Sequence, residues 1–157
     1  MADPFADDPG SAVDAPLALS RDRALRAFDL GVLAAIGVSL AYGVLLYPVG
    51  LTWGLIAVAV IGGWVIGAAV RSGAWRGQLH ERSRRLQLLA AVLGVPAWLG
   101  GMFVSYVLSQ ALFPDAATPL MERLSAAGFA AYIDGTDRLL NIVSVSALAF
   151  LGWRSAR

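Results

Sequence analysis

A stretch of 41 residues, from Leu30 to Val70, carries no charged side chain. A helix that crosses about 30 Å of hydrocarbon needs roughly 20 residues. The stretch therefore predicts two membrane-spanning helices, joined where Pro48 and Gly50 interrupt a helix and Thr52 begins the next. Two more uncharged stretches follow, at 86–114 and 139–153. The sequence thus predicts an all-α integral membrane four-helix bundle, with spans near 28–47 (TM1), 53–71 (TM2), 86–112 (TM3) and 134–153 (TM4).

The twelve basic residues are all arginines, and their distribution predicts the orientation of these spans. Positive charge collects on the cytoplasmic side of membrane proteins. Ten arginines fall on one side of the predicted spans: Arg21, Arg23, Arg26, Arg71, Arg76, Arg82, Arg84, Arg85, Arg154 and Arg157. Only Arg123 and Arg138 fall on the other side, in or beside an acidic loop at 113–137. We therefore expect both ends of the chain in the cytoplasm (N-in/C-in), with residues 21–157 forming one membrane domain.

Composition excludes several classes of function. Residues 1–20 contain four aspartates and no apolar core of a signal peptide, so they predict a disordered cytoplasmic tail. The chain has no cysteine, which excludes disulfides and iron–sulfur clusters. The single histidine, His80, lies in a basic loop and provides no pair of axial haem ligands. We expect no cofactor, no metal site, no catalytic residue and no nucleic-acid partner.

Small residues recur at every fourth position in three of the predicted spans, which places them on one face of each helix. Small side chains let helices approach closely in lipid, where little hydrophobic force drives association. These stripes either pack TM1, TM2 and TM3 together within one molecule or join two copies in a homo-oligomer. The residues expected to pack helices are Gly31, Ala35, Ser39 and Gly43 in TM1, Gly63 and Gly67 in TM2, and Gly101 in TM3.

A short helix is predicted over 118–133, between TM3 and TM4. Thr118 can cap it, and Pro119 suits the first helical position. Leu120, Leu124, Ala127 and Ala131 share one side, as expected of an interfacial helix on the outer surface. Such a helix either covers the ends of the spans or docks a partner.

The predicted TM4 carries a polar face. Asp137, Asn141 and Ser144 follow helical spacing, and Arg138 is adjacent. The uncharged part of TM4 is only 15 residues long, so a spanning helix must start near Asp134 and draws Asp137 and Arg138 toward the hydrocarbon edge. Ionisable groups there are costly and are candidates for a functional polar site. Alternatively, Asp134 and Asp137 stabilise the positive N-terminus of TM4.

The loop between TM2 and TM3 is strongly basic. Arginines beside a bilayer attract anionic lipid headgroups with about 1 kcal/mol each. The expected headgroup contacts are Arg71, Arg76, Arg82, Arg84 and Arg85.

One segment resembles a known pattern. The segment I-G-G-W-V-I-G-A-A-V-R-S-G at 61–73, followed by a basic loop to Gln87, is similar to small uncharacterised bacterial multi-spanning membrane proteins. In them a glycine-rich helix ends in an I-G-x-A-V-R-x-G turn before the next span. The resemblance implies a two-helix membrane unit in a bacterial cytoplasmic membrane and implies no chemistry.

Two functions remain open from the sequence. The small-residue faces, the interfacial helix and the lack of catalytic groups favour a non-enzymatic subunit that assembles with itself or with another membrane protein. The alternative is a small oligomeric transporter or channel that uses the polar face of TM4.

Overall fold

The computed structural model describes residues 21–49, 52–75, 83–112 and 123–157. The predicted tail at 1–20 and His80 lie outside these ranges. Within them the chain forms five α-helices and no strand, which confirms the predicted all-α fold for this part of the chain. The helices are α1 (Arg21–Val49), α2 (Thr52–Trp75), α3 (Arg84–Leu112), α4 (Ala126–Gly135) and α5 (Arg138–Ser155).

Three of these helices are long and apolar enough to cross a membrane, over Arg21–Leu46, Gly54–Trp75 and Arg84–Leu112. The shortest segment has 22 residues and is about 33 Å long at 1.5 Å per residue. Large apolar side chains cover the outward faces, with Leu33, Ile61 and Val92 all more than 60% exposed. Exposed apolar surface of this extent is unusual for a protein in water and typical of helices in contact with lipid.

The predicted TM4 does not form a single helix. The chain leaves helical geometry at Thr136 and Asp137, and α5 then begins at Arg138 rather than near Asp134. The Asp137 carboxylate accepts hydrogen bonds from the backbone N–H groups of Leu139 (2.9 Å) and Leu140 (3.4 Å), as an N-cap does. α5 has 18 residues, about 27 Å. Its outward face is apolar, since Leu139, Ile142 and Phe150 are each more than half exposed.

α2 and α3 lie between α1 and α5. Both α1 and α5 pack against α2 and against α3, which also contact each other. Gly73, near the end of α2, lies against Ala27, near the start of α1, so these two helices are antiparallel. Gly43, in the second half of α1, lies against Gly101, in the second half of α3, so α1 and α3 run in the same direction. The helices α1, α2, α3 and α5 therefore alternate in direction, and α2 runs parallel to α5.

Glycines make the α2–α5 contact close. A Cβ atom added at Gly63 would lie 2.7 Å from the Leu148 carbonyl oxygen, and one at Gly67 would meet the carbonyl oxygen of Gly152. Gly152 in turn faces α3, where a Cβ would lie 2.9 Å from the Ala90 carbonyl oxygen. Gly63 and Gly67 thus pack against α5. The sequence predicts that the small residues pack TM1, TM2 and TM3 with one another, and that prediction does not include α5.

The stripes of α1 and α3 face each other. The Ser39 hydroxyl lies 2.9 Å from the carbonyl oxygen of Ala97 and 2.8 Å from that of Ala35. A Cβ at Gly43 would lie 2.6 Å from the Gly101 carbonyl oxygen, and Ala35 is buried. Gly31 lies where α1 meets both α2 and α3, since a Cβ there would touch Val70 and Leu93. α3 continues as a helix through Pro96.

α4 lies against one end of α3. Ser125 caps α4 by accepting from the Gly128 N–H at 3.0 Å, while residues 118–122 of the predicted interfacial helix lie outside the described part of the chain. The Phe129 ring meets Phe103 edge-on, with centroids 5.5 Å apart. The Tyr132 and Ser105 hydroxyls lie 2.7 Å apart. The packed side of α4 is therefore aromatic, and Ala127 and Ala131 are exposed.

Candidate functional site

The predicted polar face of α5 divides into separate local contacts. Asp137 caps the helix, and Arg138 is exposed. The Asn141 amide donates to the Thr136 hydroxyl at 2.7 Å, and that hydroxyl donates to the Ile133 carbonyl oxygen at 2.6 Å. Ser144 is fully buried. Among the described residues, Thr136, Asp137 and Asn141 therefore make local contacts that stabilise the junction between α4 and α5.

Ser144 belongs instead to a buried polar cluster that sequence reasoning missed. Its hydroxyl lies next to the Tyr42 hydroxyl, which also neighbours the Trp98 indole N–H. These three polar atoms are therefore close neighbours, and among the described residues none of them makes a hydrogen bond of ordinary distance and angle. Tyr42 belongs to α1, Trp98 to α3 and Ser144 to α5, so no spacing within one helix signals the cluster.

A comparison of two buried serines tests this cluster. Replacement of Ser144 by alanine is expected to leave the free energy of unfolding unchanged or raise it by about 1 kcal/mol, because an unsatisfied buried hydroxyl is removed. Ser105→Ala is expected to lower it by about 1 kcal/mol, because the bond to Tyr132 is lost. Reversible unfolding in mixed detergent micelles measures both. A loss of more than about 1 kcal/mol in Ser144→Ala would show that the hydroxyl has a partner.

Arg123, one of the two arginines predicted on the side away from the other ten, makes two contacts with α3. It is half-buried, and its guanidinium donates to the Gln110 carbonyl oxygen at 2.9 Å. Its own carbonyl oxygen accepts from the Tyr106 hydroxyl at 2.9 Å. Arg123 therefore ties the chain before α4 to the end of α3.

Most described arginines lie at one end of the molecule. The alternating helix directions bring together the start of α1, the end of α2, the start of α3 and the end of α5. The arginines at this end are Arg21, Arg23, Arg26, Arg71, Arg84, Arg85, Arg154 and Arg157. Arg123 and Arg138 lie at the opposite end. Of the expected headgroup contacts, Arg71, Arg84 and Arg85 belong to this arginine-rich end, and Arg76 and Arg82 lie outside the described residues.

An apolar groove lies between α1 and α2, on the side of these helices that faces away from the rest of the bundle. It has a volume of about 390 Å³ and is lined by Ala34, Gly37, Val38, Ala41 and Leu45 from α1 and Val58, Ile61, Gly62 and Val65 from α2. We call it the α1–α2 groove. A Cβ added at Gly37 would meet no atom within 4 Å, whereas one at Gly31 or Gly43 would collide with a neighbouring helix. Gly37 is thus a small α1 residue that helix packing within the molecule leaves open.

Comparisons with protein-family models, with curated proteins and with solved structures give no match. The resemblance at 61–73 remains a prediction.

Proposed function

We propose that this protein is a non-enzymatic integral membrane protein of the bacterial cytoplasmic membrane that assembles with a second copy of itself through the α1–α2 groove. The observation that carries the proposal is the groove itself. Its small residues, Ala34, Gly37 and Ala41, leave space for another helix to approach closely.

The helices provide a ridge as well as a groove. Leu33 and Leu40, spaced four before and three after Gly37, lie on its side of α1 and are 64% and 52% exposed. A twofold symmetric pair requires that one surface be complementary to itself. A ridge beside a groove on the same helix meets this requirement, because each copy can place its leucines in the groove of the other.

The absence of charged side chains on this surface also favours a partner helix within the bilayer. The stretch from Leu30 to Val70 contains no charged side chain, so pairing buries no unpaired charge. The polar residues of α5 lie away from it and form local contacts. Four spans with both ends in the cytoplasm agree with the alternating helix directions and with the arginine-rich end as the inner end.

Because the chain contains no cysteine, one introduced cysteine can test the pairing. Oxidation in bilayers is expected to cross-link Leu40→Cys into a dimer and to leave Leu88→Cys, exposed on α3, as a monomer. Filling the groove with Gly37→Leu is expected to weaken dimerisation by about 10- to 100-fold, since overpacking costs about 1–3 kcal/mol.

The matched control is Gly135→Leu at the end of α4, where an added Cβ also meets nothing within 4 Å. It is expected to dimerise normally. A Leu40→Cys protein that stays monomeric in bilayers contradicts the proposal. The protein could instead be recovered from native membranes bound to a different protein and not to a second copy. If Gly37→Leu released that different protein, self-assembly would also be overturned.

A further inference from the structure

A second groove lies between the parallel helices α2 and α5, at the arginine-rich end. Its volume is about 540 Å³, within the range of roughly 300–1,000 Å³ usual for small-molecule sites. Arg71, Arg154 and Arg157 line one part of it. Trp64, Ala68 and Leu151 line another. We call it the arginine groove.

The three arginines are held differently. Arg71 is half-buried, and its Nη1 atom donates to the main-chain oxygen of Arg157 at 3.1 Å, which joins the ends of α2 and α5. The Arg157 guanidinium lies over the Trp153 ring, 4.8 Å from its centroid. Arg154 is exposed. Arg71 and Arg157 make the two contacts just described, and within the described ranges no aspartate or glutamate side chain pairs with any of the three arginines.

The apolar part of the groove lies toward the middle of the helices. In α2, Ala68 lies about one helical turn before Arg71, and Trp64 lies about two turns before Arg71. In α5, Leu151 lies about one turn before Arg154. Trp64 is 61% exposed although it is large and apolar. From the end inward the groove therefore changes from cationic to apolar.

We propose that the arginine groove binds an anionic phospholipid, with the phosphate held by Arg71, Arg154 and Arg157 and an acyl chain lying along Trp64, Ala68 and Leu151. Guanidinium groups bind phosphate oxygens through charge-assisted, often paired, hydrogen bonds. A free inorganic anion would use the arginines and leave the apolar part uncovered. The order of charged and apolar surface matches a phospholipid at the edge of the hydrocarbon. The inference rests on the chain lying in a bilayer and is independent of self-assembly.

The test measures binding of short-chain phosphatidylglycerol to the full chain in a zwitterionic detergent by native mass spectrometry. The double variant Arg154→Gln/Arg157→Gln is expected to bind roughly 30-fold more weakly, since each arginine near a headgroup contributes about 1 kcal/mol. Arg154→Gln alone, which removes a side chain without any described hydrogen bond or ion pair, is expected to bind about fivefold more weakly.

The matched control is Arg21→Gln/Arg26→Gln, which removes the same charge at the same end of the molecule from two exposed residues of α1. It is expected to bind within about twofold of the unmodified chain, because screening weakens distant charges. Equal losses in both double variants would overturn the groove and leave only diffuse attraction. Short-chain phosphatidylcholine or inorganic phosphate binding as tightly as phosphatidylglycerol would overturn the anionic lipid as the ligand. Unfolding without lipid verifies that each variant is folded.

Discussion

Replacement of Gly67 by alanine is expected to lower the free energy of unfolding by about 2 kcal/mol. The added Cβ would meet the carbonyl oxygen of Gly152 and the hydroxyl of Ser155, and it would lie 3.1 Å from the Ala156 nitrogen. Backbone atoms cannot rotate away, so α2 and α5 must separate. Overpacking of this kind costs up to about 3 kcal/mol, and the higher helix propensity of alanine returns about 1 kcal/mol.

Gly37→Ala is the control for this prediction. The same atoms are added to a neighbouring helix, where nothing in the same molecule lies within 4 Å, so in micelles that hold single copies only the gain in helix propensity of about 0.5–1 kcal/mol is expected. Both variants are compared by reversible unfolding in mixed detergent micelles. Equal stability of the Gly67 and Gly37 variants would mean that α2 and α5 do not pack closely in solution.

Replacement of Phe129 by alanine is expected to loosen α4 from α3 and to leave the other helices in place. Phe129 contacts the rings of Phe103 and Tyr106, with centroids 5.5 and 5.7 Å away. Two aromatic pairs contribute together about 2 kcal/mol. Hydrogen exchange of the α4 amides is therefore expected to accelerate by roughly 30-fold.

The control removes an aromatic ring from a more exposed site. Phe150 on α5 is 55% exposed and contacts one ring, that of Trp153, at 6.2 Å. Phe150→Ala is expected to leave exchange in α4 unchanged. The docking of α4 by Phe129 would be refuted if exchange in α4 stayed slow in Phe129→Ala, or if exchange accelerated equally in all helices.

Helix existence could be predicted from the sequence, because uncharged stretches of sufficient length permit few other structures in lipid. The all-α prediction is confirmed for the described residues, and three helices have the length and apolarity of membrane spans. The division at Thr136 and Asp137 was harder to locate. The sequence indicated that Asp137 could cap a helix, but the demand for a longer span favoured a start near Asp134.

Helix partners could not be predicted, because a stripe of small residues is compatible with many neighbours. The glycines at 63 and 67 indicate close packing and do not say against which helix. Their partner in α5, Gly152, lies 85 residues after Gly67. The arginine groove was missed for the same reason, since Arg71 and Arg157 meet only because α2 and α5 run parallel.

The parallel pairing of α2 with α5 also has a consequence for biogenesis. Synthesis proceeds from the amino terminus, so α2 is complete long before the ribosome reaches residue 138. On the proposed topology, the face of α2 that carries Gly63 and Gly67 lies in the bilayer without α5 packed against it while α3 and α4 are synthesised. The close contact between α2 and α5 is therefore among the last helix contacts to form. Until α5 is inserted, the membrane insertion machinery or lipid tails must occupy its place beside α2.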